Sequence, residues 1–302
     1  MQLHLPRRLT VEEMEREAGV ALHTFVQERL AEGTSSYAAA FRKAKRLVSR
    51  LFERTENLTV LDGKAICGST ELVEAARFLG GPPLSQDDLN TLAGGPVCSR
   101  KGVDEKLAAR TIEVIRSFLD PFRYPWIASG RPPTKTAVRN AIAWTSSLWA
   151  VEKCRTSRRT ESSAVQERRV EEILASEGLR KEGAIRKIDA LDDLDRGRFT
   201  REVVLGGAKA DLAVRLLDGR LLAIECKVSN SAINSVKRLN RETAGKAGQW
   251  RDGYGKQVVS AAVLSGVFKV GNLVDAQTAG VHIFWDHDLS SLRTYIQETC
   301  QS

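Results

Sequence analysis

Apolar positions recur at helical spacing through the first half of the chain and at strand spacing through the second. Residues 11–31 place Val11, Met14, Ala18, Leu22, Phe25, Val26 and Leu30 at intervals of three and four, which predicts an amphipathic helix. Residues 36–53 repeat the pattern and carry a basic face of Arg42, Lys43, Lys45, Arg46 and Arg50. Gly80, Gly81, Pro82 and Pro83 interrupt the chain, and Ser85 followed by Asp88 predicts a capping box for a short helix. Residues 103–119 predict a further amphipathic helix, and Pro121, Pro125, Pro132 and Pro133 mark an irregular stretch. Residues 134–154 read as helical again, with Thr134 as the cap. The polar run RTSRRTESS at 155–163 reads as a linker or exposed loop.

From 164 the pattern changes. A helix at 164–177 precedes a strand at 199–205, closed by Gly206 and Gly207. Residues 210–216 alternate as a second strand, Asp218-Gly219 is a hairpin signal, and 221–228 form a third strand. A long helix over 231–251 leads to 258–264, an apolar run suited to a strand buried on both faces. A short helix at 272–278 and a strand at 281–285 complete the order. The expected fold is α/β, a mixed central sheet flanked by helices, with a mostly α-helical N-terminal region. The expected division is 1–155 for the helical region and 156–302 for the sheet-bearing core.

Composition narrows the class. Of 302 residues 42% are apolar, enough to form a core. No apolar run reaches the ~20 residues of a bilayer span. The charged N-terminal turns lack a secretory apolar region, so the protein is expected in the cytoplasm, away from membranes. The five cysteines (67, 98, 154, 226 and 300) are scattered, without a C-x-x-C pair, against a zinc ribbon or disulfide framework. The net charge of +8 favours anionic partners, nucleic acid first.

The chemistry concentrates in Lys209-Ala210-Asp211, thirteen intervening residues, and Glu225-Cys226-Lys227. Phosphodiester hydrolysis needs a cation against the developing negative charge, and an activated water. Two carboxylates on adjacent strands, Asp211 and Glu225, suit a hard ion such as Mg2+, which keeps several waters. A neighbouring lysine, Lys227, can orient the water and stabilise charge. Strand periodicity puts Glu225 and Lys227 on one face, with Leu222, Ile224 and Cys226 on the other. Register sharpens the expectation. A two-residue Asp218-Gly219 loop would set Asp211 opposite Cys226, on the wrong face. A shared site therefore requires a one-residue offset, through a three-residue turn with Gly219 left-handed or through a bulge.

This arrangement resembles the PD-(D/E)xK nuclease superfamily over residues 164–285, with Ala210 where proline is usual. The strings KADLAVRLLDGRLLA, IECKVSNSAINSVKRLNRE and IFWDHDL are similar to the XamI-type family of type II restriction endonucleases. That resemblance implies sequence-specific, Mg2+-dependent double-strand cleavage of DNA, by a homodimer on a palindrome. It also implies a further acidic residue on the helix before the sheet, for which Glu167 and Glu171 are the candidates. Asn230, Ser231, Asn234, Lys237, Arg238 and Arg241 open the basic helix after the third strand and are the expected DNA contacts. Lys246 and Arg251 are further candidates for DNA, whereas Trp250 is expected in the core. His282, Asp286, His287 and Asp288 are expected to serve packing and capping. Two alternatives stay open: a structure-specific repair or junction-resolving nuclease of the same fold, and a non-catalytic DNA-binding protein with a degenerate core.

Overall fold

The structure, a computed structural model, describes residues 4–97 and 104–300, without the side chains of 158–160, 234, 237 and 238. The chain forms two compact units, Glu32–Ser157 and Met1–Ala31 with Arg158–Ser302. Helix α1 (Val11–Glu32) belongs almost wholly to the second. The division expected at 155 thus differs at the N-terminus. Met14 and Ala21 are buried in a cluster with Leu239, Ala247, Leu264, Leu273 and Ile283, so α1's apolar face covers the sheet-bearing unit.

The helical unit holds α2 (Ser35–Arg54), α3 (Gly63–Cys67), α4 (Thr70–Arg77), α5 (Gln86–Ala93), α6 (Glu105–Phe118), α7 (Pro125–Ser129) and the start of α8 (Lys135–Ser176). Helix α2 buries Ala44, Leu47, Val48, Leu51 and Phe52, at intervals of three and four along one stripe. Its basic residues Arg42, Lys43, Lys45, Arg46 and Arg50 are exposed opposite. The expected capping box opens α5, Ser85 accepting from the Asp88 N–H.

The linker expected at 155–163 is instead the middle of α8, one helix of 42 residues. The run contains neither glycine nor proline, and the Thr156 hydroxyl bonds back to the Glu152 carbonyl at 3.0 Å. Packing anchors the helix at both ends, through Ala141, Thr145 and Trp149 and through Gln166, Val170 and Leu174. A polar stretch between two anchored segments is compatible with helix.

The second unit carries a seven-stranded sheet: β1 (Arg180–Lys181), β2 (Lys187–Ile188), β3 (Arg198–Leu205), β4 (Ala208–Arg215), β5 (Leu221–Ser229), β6 (Val258–Gly266) and β7 (Val281–Trp285). Its order is β1-β3-β4-β5-β6-β7, with β2 also paired to β3. The β3-β4-β5 meander is antiparallel and β5-β6-β7 is parallel. The β5-to-β6 crossover comprises α9 (Ala232–Ser235), a π-helical segment (Val236–Thr243) and α10 (Ala244–Tyr254). Helix α11 (Val270–Thr278) joins β6 to β7, and α12 (Ser290–Cys300) follows.

Both faces are dry, as expected for strands with apolar residues in nearly every position. Leu212, Val214, Leu216, Leu222, Ile224, Cys226, Ala261 and Val263 pack with Val170 and Leu174 of α8 and Tyr295 of α12. Ala210, Ala213, Ala223 and Trp250 cluster on the other face. Small residues there admit the Trp250 ring, fully buried as expected, whose Nε1 donates to the Ala208 carbonyl at 3.2 Å. No helix among the described residues is long and apolar enough to cross a membrane.

His282 on β7 is buried, and burial together with the nearby Arg8 pushes its pKa from an ordinary 6.5 down to about 4. Protonation therefore favours the unfolded chain. Stability is complete above pH 6.5 and falls as pH drops through the window toward 4, by about 3 kcal/mol from this group. Thermal melts of His282→Leu against the unmodified chain test this. The variant should lose distinctly less stability between pH 7 and pH 4.5; identical pH profiles would contradict it.

Candidate active site

The hairpin between β4 and β5 sets the geometry. The Leu216 N–H bonds to the Arg220 carbonyl at 2.8 Å, and the Gly219 N–H returns to the Leu216 carbonyl at 3.0 Å. Residues 217–219 thus form a three-residue loop, with Gly219 at φ 91°, a value glycine adopts without a Cβ penalty. Pairing runs from Arg215↔Leu221 to Leu212↔Ile224. Continued by one step, this register sets Asp211 across from Glu225. The offset expected from the sequence is present, through the left-handed glycine turn.

Regular β4–β5 pairing ends at Leu212↔Ile224, and the Asp211 carboxylate accepts the Cys226 N–H at 2.7 Å. On the other side of β4, the β3–β4 register passes from Arg201↔Leu212 to Val203↔Ala210. Glu202, across from Asp211, has a left-handed φ of 50°, which costs about 1–2 kcal/mol for a residue with a side chain. Strand alternation changes at the same point. Leu212 lies in the cluster facing α8, while Ala210 joins Ala213 in the cluster containing Trp250. Asp211 therefore sits where the strand rotates, at a fork between β4 and β5.

Four charged groups meet there. Glu225 is wholly inaccessible to solvent. The Lys227 ammonium pairs with its Oε2 and lies 3.7 Å from Asp211 Oδ2. The Lys246 ammonium, from α10, bonds to Glu225 Oε1 at 2.8 Å. Burial raises the Glu225 pKa and the nearby Asp211 carboxylate adds to the rise, against the pull of both lysines. Burial pulls Lys227 down, but Glu225 and Asp211 outweigh it and its pKa is raised, so the ammonium stays charged at neutral pH.

The site fits a hard divalent cation. Glu225 Oε2 is buried without a directed hydrogen bond, although an ammonium lies against it. Two carboxylates repel each other in a low-dielectric setting, which a cation between them relieves. Among the described residues no group of three or more His, Cys, Asp or Glu side chains converges on one point, so a soft-metal cage is not on offer. A carboxylate pair suits an ion that keeps much of its water.

The remaining sequence candidates divide. On α8, Glu167 pairs with Arg201 of β3; burial raises its pKa, Arg201 opposes the rise and Asp211 adds to it. Glu171 is held by Arg201 Nε at 3.0 Å and by Lys181 at 2.6 Å. Glu167 thus feels the site's charge, while Glu171 is tied to two cations. Asn230 and Arg241 are exposed and Ser231 is half-buried. Asn234, Lys237 and Arg238 lie on the helix, but their side chains fall outside the described residues, as does Cys98. His287 meets Glu17 at 2.9 Å, Asp286 meets Arg169 at 2.8 Å, and Asp288 accepts the Ser290 N–H at 2.9 Å.

Sequence reasoning misses the roles of two residues: Arg201, which holds both α8 acids beside the cluster, and Lys246, a cluster member that the sequence marks only as a candidate for DNA. A signal for Lys246 exists. It precedes Trp250 by four residues, and a tryptophan packed on the sheet brings the lysine one turn earlier onto the same face.

A mixed sheet flanked by helices, with the D…ExK residues at a strand fork, is a PD-(D/E)xK nuclease-like core. The chain belongs to the XamI restriction endonuclease family, whose model matches residues 56–285. It is 36% identical over 271 residues to type II restriction enzyme XamI of Xanthomonas campestris pv. amaranthicola, covering 86% of this chain and 97% of that one. No solved structure matches it. The activity is accordingly sequence-specific cleavage of DNA by a type II restriction endonuclease, which separates it from the repair-nuclease and non-catalytic alternatives. Enzymes of this type generally need a divalent metal ion.

Proposed function

We propose that Asp211, Glu225 and Lys227 are the catalytic centre of this endonuclease, with Mg2+ as the ion and Asp211 and Glu225 as its protein ligands. The observation that carries the reading is the convergence of two carboxylates and an ammonium at the β4–β5 fork, with Glu225 inaccessible to solvent. When bound, Mg2+ supplies positive charge beside the scissile phosphate and acidifies water. Lys227, charged and held between the two carboxylates, orients that water and stabilises negative charge as it develops. Glu167 adds negative potential from the α8 side, whereas Glu171 stays committed to Arg201 and Lys181.

Asn230, Ser231, Asn234, Lys237, Arg238 and Arg241 follow β5 directly, and this reading assigns them to DNA: asparagine and arginine for base edges, lysine for phosphate. The exposed basic face of α2 offers the helical unit a phosphate-binding surface of its own. A chain with one such centre cuts both strands most simply as a homodimer on a palindromic site.

The test is digestion of a sequenced plasmid with Mg2+, followed by end mapping. Discrete fragments with ends at symmetric positions in one short palindrome are expected, and EDTA should stop the reaction. Cutting that persists in EDTA, or ends scattered without a common sequence, would overturn the reading.

A further inference from the structure

Glu225 has two oxygens and two ammonium partners. Lys227 takes Oε2, and Lys246 takes Oε1 at 2.8 Å. A cation that binds Glu225 must displace or crowd one of them. The two lysines are not equally free. Lys227 is anchored two residues away on β5, within a ladder running unbroken from Leu221↔Val258 to Ser229↔Gly266, and its side chain is 13% exposed. Lys246 comes from a separate helix, enters after a π-helical segment, and its side chain is 28% exposed. A π-helical turn is a weak point in a helix and is often found at functional sites.

We propose that Lys246 is a placeholder cation: it compensates the buried Glu225 while no divalent ion is present, and withdraws when the ion takes Oε1. Charge arithmetic supports this. Asp211 and Glu225 against Lys227 and Lys246 make a neutral group, whereas a divalent ion added to all four leaves two excess positive charges around a carboxylate that solvent does not reach. The incoming scissile phosphate offsets one of them, and movement of Lys246 out of contact relieves the other. The consequence is a coupling between cation and substrate. The free protein holds the ion weakly because Lys246 competes for the same oxygen, and DNA tightens it by giving the displaced ammonium a phosphate to meet. Lys246 is on this account a positioning residue that acts through Glu225.

The inference rests on Glu225 being a cation ligand, and the experiment separates the two. Mg2+ is titrated calorimetrically into the DNA-free protein at pH 8 for the unmodified chain, Lys246→Met, Lys246→Gln, Lys246→Arg and Glu225→Gln. The methionine and glutamine variants should bind Mg2+ about tenfold more tightly, since a unit charge within a few ångströms of the ion is gone. Their metal-free melting temperatures should drop, and Mg2+ should raise them by more than it raises the parent's. Lys246→Arg, still a cation, should stay near the parent. Glu225→Gln should lose Mg2+ binding. Unchanged or weaker Mg2+ binding in Lys246→Met and Lys246→Gln, with Glu225→Gln still impaired, would overturn the placeholder. Undiminished Mg2+ binding by Glu225→Gln would instead remove the ligand assignment beneath it.

Discussion

Asp211→Asn and Glu225→Gln are each expected to lower the rate of DNA cleavage on the order of 10³-fold or more while leaving DNA binding measurable and salt-sensitive. Amides are the sharper choice over alanine. Asp211 Oδ2 accepts the Cys226 N–H at 2.7 Å, so alanine would strip a buried donor of its partner at the end of the β4–β5 ladder. Asparagine retains an acceptor there and changes the charge. Glu225→Ala would take from Lys246 the carboxylate it pairs with and leave Lys227 only Asp211, 3.7 Å away, a change in stability that would confuse the kinetic result. Glutamine keeps volume and one carbonyl oxygen. Both variants should therefore fold, bind a cognate duplex in a gel-shift assay, and fail to cut it in excess Mg2+. A Glu225→Gln protein cutting within tenfold of the parent rate would end the assignment.

Much of this site is legible in the sequence, for a specific reason. Period-two alternation places 225 and 227 together whatever surrounds them, and loop length alone determines what faces 211. The left-handed Gly219 turn meets the requirement that the register argument sets. Features that depend on chain segments distant in sequence are less legible. Lys246 reaches Glu225 across twenty-one positions, and Arg201 reaches Glu167 across thirty-four. Neither distance appears in a periodicity. The rotation at Asp211 is also hidden, because Glu202 adopts its left-handed backbone without being glycine. The linker expected within α8 fails differently. A polar run suggests loop, yet exposed arginine and glutamate without glycine or proline are ordinary helix surface, and the anchoring residues lie outside the run. The N-terminal helix has the right period, but period does not reveal which unit its apolar stripe will cover.

Arg123→Met is expected to destabilise the helical unit by about 3–5 kcal/mol, a large effect for a change away from the site. Arg123 lies in an irregular, proline-rich stretch (DPFRYPW) where an arginine would ordinarily be exposed, but only 6% of it is accessible. Its guanidinium is almost fully used. Nη1 donates to the Phe78 carbonyl at 2.9 Å and to Thr145 Oγ1 at 3.2 Å; Nη2 donates to the carbonyls of Leu79 at 3.2 Å and Gly80 at 2.5 Å; Nε meets Asp120 Oδ2 at 2.6 Å. The Phe78 and Gly80 carbonyls, left over where α4 ends, are thereby satisfied from the turn before α7, the Leu79 carbonyl gains a second donor beside the Asp120 N–H, and the same group ties in α8 through Thr145. Burial pushes Asp120 up, but Arg123 and the Phe122 and Arg123 N–H groups outweigh it, and the carboxyl ends below its usual range. Methionine fills similar volume and supplies none of these donors, so the Phe78 and Gly80 carbonyls lose this partner outright, while Leu79 keeps the Asp120 N–H and Asp120 keeps the Phe122 and Arg123 N–H groups. Arg123→Lys would not rescue the unit, because one ammonium offers three donors from a single point and cannot span acceptors that the flat guanidinium reaches on separate edges. Denaturant unfolding followed by circular dichroism measures the effect. Arg123→Met and Arg123→Lys should both shift the midpoint well below the parent's, and a loss under about 1 kcal/mol for either would show that these carbonyls find other partners.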